Sequence, residues 1–361
     1  MARPGLQFGN RSFLGFGLLL VMTQLYYPGV LIAVRLGQTA AWLLALFAAL
    51  LAMLLAWPVA AALRRIPRGT LFDLAERAVG RWVAVVYTLV LVLALSLTGS
   101  IVLRQTAEMA LTANYPHTPQ TFAVVTLLVS AIVAAWVDSA AVVRAANILL
   151  IPLNLSFVLI LAGTIGWGTT GFLAPLWGPG LPRLVLSAPA VASLFTPLAV
   201  LYVMADGVTD RRGLVGTLLA VPVLGGLQYA LHKANLLMVF SYRVGLNTTF
   251  PMHQAARLVI GGRFFEHIEG IWLFVWVACT IAYMGALLHG SGRLFCRAFR
   301  IPKFQTAVPL LTVVVLTLAY FPRNQAQAVM LSEAIAVPLI LIALVVPAAF
   351  AAIATLRGRL S

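Results

Sequence analysis

Ten apolar runs of 17 to 31 residues follow one another along the chain, and they constrain its fold more than any other feature. They lie at 13–34, 39–63, 82–112, 119–137, 142–166, 187–206, 213–240, 267–292, 305–321 and 331–356. A helix rises about 1.5 Å per residue, so about 20 apolar residues cross the hydrocarbon core of a bilayer. Only 9% of the 361 residues are charged and 62% are hydrophobic, where soluble domains carry about 25% charged residues. Ten such runs cannot be hidden in one water-surrounded core, and disorder requires low hydrophobicity. The chain reads as an all-α polytopic membrane protein, a single transmembrane domain over 1–361. The segment Met1–Arg11 is short and polar and lacks a small-residue cleavage site, so it does not read as a signal peptide.

A net charge of +15 would suggest nucleic acid in a soluble protein. Here the basic residues stand singly between apolar runs, which is the pattern of membrane topology. With the N-terminus inside, one side collects sixteen Lys and Arg and the other six. The positive-inside rule therefore expects both termini in the cytoplasm. Cys279 and Cys296 stand about 25 Å apart along one helix, too far for a disulfide.

The punctuation suggests two five-helix halves, 13–166 and 187–356. Span 1 contains Tyr26, Tyr27, Pro28 and Gly29; span 6 contains Ser193, Thr196 and Pro197. Proline removes a backbone donor and glycine permits unwinding. Interruptions at corresponding positions of two halves point to a ligand site at an inverted-repeat interface. The loop after span 2 carries an amphipathic piece opening with a Thr70-x-x-Asp73 capping box, and the loop after span 7 a helix-like piece near Met252–Ile260. The two pieces would lie on opposite sides, as inversion requires.

Freed backbone groups at such breaks can hold an anion, typically a ligand carboxylate. Thr23, Gln24, Tyr26, Tyr27, Pro28 and Gly29 surround the first break, and Ser193, Thr196, Pro197 and Tyr202 the second. Their hydroxyls, amides and rings suit a small zwitterion or ordinary helix packing. A second tier consists of Arg104 and Glu108, four apart on span 3, and of Glu269, Trp276, Thr280 and Tyr283 on span 8. Arg104–Glu108 reads as an ion pair anchoring a long helix, with Arg104 reaching the outer interface, or as a ligand group. Glu269 reads as a helix N-terminal acid or as part of an outer vestibule. His232-Lys233 in span 7 should face protein or water, Glu333 and Asp206 read as span-end anchors, and His289 as a packing histidine. No nucleotide-binding, metallohydrolase or serine-hydrolase motif is present. The chain is expected to be no enzyme, with neither cofactor nor metal.

Taken in order, several stretches resemble the endospore germination permease family. They are Arg64-Arg65-Ile66-Pro67, Thr70-Leu71-Phe72-Asp73, Gly80-Arg81-Trp82, Leu103 to Glu108, Tyr115-Pro116, Thr118-Pro119, and Phe264 to Glu269 leading into Trp276. Members of that family are B subunits of GerA-type germinant receptors, within the amino acid–polyamine–organocation superfamily. The resemblance implies a LeuT-like fold of ten transmembrane helices, five plus five inverted, with helices 1 and 6 discontinuous. It implies residence in the spore inner membrane, partnership with an A subunit and a lipoprotein C subunit, and recognition of a small germinant, often an amino acid. Two departures fall at the expected ligand site. Tyr26-Tyr27-Pro28-Gly29 replaces a Gly-Val-Gly-Ile-type stretch, and Phe195 to Ala199 replaces a Gly-Phe-Glu-like element. The expected function is a nutrient-binding receptor subunit. Its rivals are a proton- or sodium-coupled amino acid permease and a scaffold whose pocket Tyr26 and Tyr27 fill. The missing deep acid weakens the permease reading, and where some relatives carry a helix 5 lysine in place of sodium, span 5 offers only Arg144 and Asn147.

Overall fold

Inside hydrocarbon every backbone donor and acceptor needs a partner within the protein, which helices supply along their own length. The computed structural model describes residues 7–24, 29–113, 117–248, 250–259 and 268–360, and each long element among them is a helix. In order these are α1 (Asn10–Gln24), α2 (Gly29–Gly37), α3 (Ala41–Arg65), α4 (Leu71–Val79), α5 (Arg81–Ala113), α6 (Gln120–Trp136), α7 (Ser139–Gly163) and α8 (Leu181–Ala192). Then come α9 (Leu198–Met204), α10 (Leu214–Asn247), α11 (Pro251–Arg257), α12 (Ile268–Ala298), α13 (Val308–Ala319), α14 (Gln325–Ala334), α15 (Ala336–Ile340) and α16 (Val346–Leu356). Six stretches are long and apolar enough to cross a membrane: Leu31–Arg65, Arg81–Thr112, Ser139–Trp167, Leu214–Asn247, Glu269–Ala298 and Ala336–Leu356. Leu181–Phe195 with Leu198–Gly207 forms a seventh crossing bent by 47°, and Gln120–Trp136 and Phe304–Ala319 are shorter apolar helices. Together with α1, these elements are compatible with the ten crossings expected.

Boundaries moved where local chemistry interrupts an apolar run. The first run is described as α1 up to Gln24 and as α2 from Gly29, and its expected break at 25–28 lies outside the described residues. The last run breaks at Ile335, leaving Glu333 on α14, and Leu341–Val345 inserts a π-turn before α16. Ser241 takes φ +53° inside α10 and kinks it. The capping box on α4 forms as its spacing predicts, with Asp73 accepting from the Thr70 backbone N–H at 2.7 Å. The helix-like piece after span 7 is α11.

Large apolar side chains point outward along single stripes, such as Ile148, Ile151 and Leu155 on α7, and present the surface a bilayer covers. Inward faces are built from small residues that let helix backbones approach. A methyl group on Gly226 of α10 would meet Ala49 Cβ of α3 at 2.1 Å. The segment before α1 is fixed against the chain after α9: Phe8 N–H donates to Gly207 O at 3.0 Å, and Thr209 N–H to Phe8 O at 3.1 Å. The N-terminal segment therefore leads into the interior beside the bent crossing.

Candidate ligand cavity between the helix breaks

Local competition for backbone groups makes the second break. Beyond α8 the chain tightens into a 3₁₀ turn at Ser193–Phe195. Ser193 Oγ donates to Ala190 O at 2.7 Å and Thr196 Oγ1 to Ser193 O at 2.5 Å. Pro197 then supplies no backbone donor, so the helix restarts only at Leu198. At the first break Thr23 Oγ1 donates to Leu19 O at 2.7 Å, and the Gln24 amide donates to the Tyr283 hydroxyl of α12.

Between the breaks lies a cavity of about 50 Å³. Gln24 and Ser193 line it from the breaks, Thr98 and Gln105 from α5, and Ser332 and Glu333 from α14. Two of its polar atoms, Gln105 Nε2 and Glu333 Oε1, are buried with no hydrogen-bond partner. The other carboxylate oxygen of Glu333 pairs with Arg35 of α2 at 2.5 Å. Arg35 also borders a cleft of about 440 Å³ with Leu246, Asn247 and Phe250, so the ion pair divides the cleft from the cavity. On the N-terminal face a second cleft of about 470 Å³ is bordered by Thr70, Ser139, Asp206, Arg293 and Lys303. There Arg293 pairs with Asp206 at 2.5 Å, and Arg297 with Asp73 at 2.7 Å. The seven residues of α9, all buried, run between Ser193 at the cavity and Asp206 at the cleft.

Of the candidates at the breaks, Gln24 and Ser193 reach the cavity. Thr23, Thr196 and Pro197 shape the breaks without lining it, and Tyr202 is buried on α9. Gly29 begins α2; Tyr26, Tyr27 and Pro28 lie outside the described residues. In the second tier Tyr283 meets Gln24, Thr280 Oγ1 donates to Trp276 O at 2.9 Å, and Trp276 stacks on Trp272 at 5.7 Å. Arg104 and Glu108 pair at 2.7 Å, as their spacing predicts. Arg104 is buried and also donates to Arg323 O at 3.1 Å, so it braces α5 against the loop before α14. Glu269 stands in the first turn of α12 and acts on His253 of α11. His253 lies outside the membrane-spanning helices; burial and Arg257 push its pKa below the usual histidine value, against the pull of Glu269. His289 is satisfied on both nitrogens, by Ser139 Oγ at 2.9 Å and Ala135 O at 3.0 Å. Cys279 and Cys296 are free thiols.

Gln105 and Glu333 were not singled out as ligand groups in the sequence. Their signal was available, because a carboxamide and a carboxylate inside apolar runs are costly and become functional candidates for that reason. Lys233 is the corresponding basic residue. Fully buried on α10, its Nζ lies 3.1 Å from His232 Nδ1 and 4.8 Å from the centre of the Tyr229 ring. Among the described residues, the packing helices α1, α2, α3 and α11 carry no acidic side chain to neutralise it.

The fold has counterparts among solved transporters. The chain is similar to MhsT, solved in complex with L-phenylalanine, with a TM-score of 0.67 and 17% identity over 94% of this chain and 88% of that one. It is similar also to a Na⁺-coupled sialic acid symporter in a substrate-bound outward-open state, with a TM-score of 0.64 and 14% identity over 99% of this chain and 78% of that one. At these identities the likeness establishes the LeuT-like transporter fold, the five-plus-five arrangement expected of the ten helices. No curated protein matches the chain significantly. The spore germination protein family matches it over residues 6–328, nearly its whole length. This multi-pass membrane protein therefore belongs to the spore germination permease family.

Proposed function

We propose that the chain is the membrane subunit of a nutrient receptor in the spore inner membrane, with both termini in the cytoplasm. It binds a small nutrient, an amino acid by class, in the cavity between the breaks. Occupancy of that cavity changes how α2 and α9 pack, and A and C subunits of the GerA type read the change as the signal to germinate. The observation that carries this reading is a partly enclosed cavity with polar groups on its wall, placed between the end of α1 and the break after α8, in a chain of the germination family. Within such a cavity a ligand that completes unmet hydrogen bonds can shift a conformational equilibrium by its differential affinity for the two states.

A coupled amino acid permease is the second reading. It is favoured by the clefts on both faces, each ending at an ion pair that involves one half of a broken crossing. Germination of spores lacking the gene, measured against a complemented control over a nutrient panel, tests the receptor. Loss of one nutrient response, restored by complementation, is the expected result. A full response to every nutrient, together with amino acid uptake by the purified chain in liposomes, would replace the receptor by the permease.

A further inference from the structure

Burial makes the unmet atoms of the cavity informative. Gln105 is 2% exposed, and its Nε2 is a donor without an acceptor; Glu333 Oε1 is an acceptor without a donor. Both residues line the same cavity. Leaving such groups unpaired in a dry interior costs free energy that a ligand offering the complementary pair would recover. The formal charge is closed as well. Glu333 is already compensated by Arg35 at 2.5 Å, and the other polar groups named on the cavity wall, on Gln24, Thr98, Gln105, Ser193 and Ser332, are neutral. A ligand with net charge would therefore bring an uncompensated charge into a low-dielectric site.

We propose that the cavity selects a net-neutral zwitterion, whose ammonium donates to Glu333 Oε1 and whose carboxylate accepts from Gln105 Nε2. Arg35 sets the charge rule: by neutralising Glu333 it excludes ligands that carry only the cation. This inference rests on the binding role proposed above and assigns its chemistry to two residues that lie outside the breaks themselves.

Thermal stabilisation and calorimetric binding on the full chain in lipid nanodiscs test it. The probes are glycine and the uncharged proteinogenic L-amino acids, each beside its N-acetyl derivative, which is anionic, and its amide, which is cationic. At least one zwitterion should raise the melting temperature. Its N-acetyl and amide forms should bind at least tenfold more weakly, about 1.4 kcal/mol. Glu333→Gln should lose the preference for the zwitterion over the N-acetyl form. Gln105→Leu should weaken the zwitterion while narrowing its advantage over the amide. Arg35→Gln should turn the preference toward the cationic amide. Glu333→Asp retains the charge and should retain the preference, and a monodisperse, helical sample of each variant separates lost binding from lost folding. Equal binding of a zwitterion and its N-acetyl form, or an unchanged preference in Glu333→Gln, would overturn this assignment and leave the binding role standing. Stabilisation by no zwitterion in the panel would overturn the binding role itself.

Discussion

The two ends of the molecule are closed by the same device in different surroundings. At the N-terminal face Asp206, just beyond α9, pairs with Arg293 of α12; at the opposite face Arg35 of α2 pairs with Glu333 of α14. Both pairs measure 2.5 Å, and each ties one half of a broken crossing to a neighbouring helix. They differ in burial. The acids are alike, Asp206 at 15% and Glu333 at 19% exposed, but Arg293 is 13% exposed whereas Arg35 is 51% exposed. Removing one partner of a buried pair strands the other charge in a poor solvent, while an exposed guanidinium turns to water at little cost. The N-terminal closure is therefore the structural one. The opposite closure is the weaker of the two and the one that borders the cavity.

Breaking the buried pair is the strongest test of that contrast. Asp206→Asn should cost about 3 kcal/mol of stability, read as a lowered melting temperature of the chain in detergent. Cys296 borders the same cleft, so its labelling by a bulky maleimide should quicken in Asp206→Asn, while Cys279, in the core, stays protected. Equal melting temperatures for Asp206→Asn and wild type would remove the distinction between the ends.

Between the ends, Lys233 is a buried amine with no acid on the helices named above, so it is held at a stability cost. Lys233→Met keeps the volume and removes the polar head, and should raise stability by about 1–3 kcal/mol. A destabilised variant would mean that the contacts with His232 and Tyr229 outweigh the burial of the amine.

Glu333→Gln sharpens the comparison from the other side. Its cost should be about 1 kcal/mol or less, because the partner it leaves, Arg35, is half exposed and turns to water. Access to the cavity should nonetheless rise, seen as faster modification of a cysteine placed at Ser193 by a reagent supplied from the opposite face. A loss of stability as large as that of Asp206→Asn would show that exposure does not set the difference.

The smallest effect concerns acid. In the folded chain burial and Arg257 lower the pKa of His253. The unfolded chain takes up a proton on this histidine near pH 6.5. Stability is therefore full above about pH 6.5 and declines as pH falls below it, since the unfolded state then binds more protons. Protection of the α11 amides, corrected for the intrinsic exchange rate at each pH, should fall between pH 7 and 5, and His253→Gln should remove that part of the response. The N-terminal face should not follow it, since His253 belongs to the opposite end.

Crossings were legible because hydrocarbon leaves a chain little freedom: a run of about 20 apolar residues becomes a helix whatever its neighbours do. The α4 cap was legible for the same local reason, since Thr70 and Asp73 need only each other's backbone. The break after α8 was visible as a cluster of proline and hydroxyl residues. The cavity was not. Gln105 and Glu333 lie on different crossings, and Arg35 and Glu333 are 298 positions apart. Sequence reading accordingly left Glu333 as an end anchor and weighed Thr196 and Tyr202 as ligand groups, although neither lines the cavity.

The sequence by itself determined the membrane class, the order of the apolar crossings, the place where the sixth of them breaks and the Arg104–Glu108 pair. Each follows from interactions within a few residues, or between residues and solvent. Only the tertiary structure decided which polar groups share a cavity, which acid meets Arg35 and which meets Arg293, and how deeply each pair is buried. Those outcomes depend on the packing of helices far apart in the chain, where small residues such as Gly226 and Ala49 set the approach, and no local pattern encodes them.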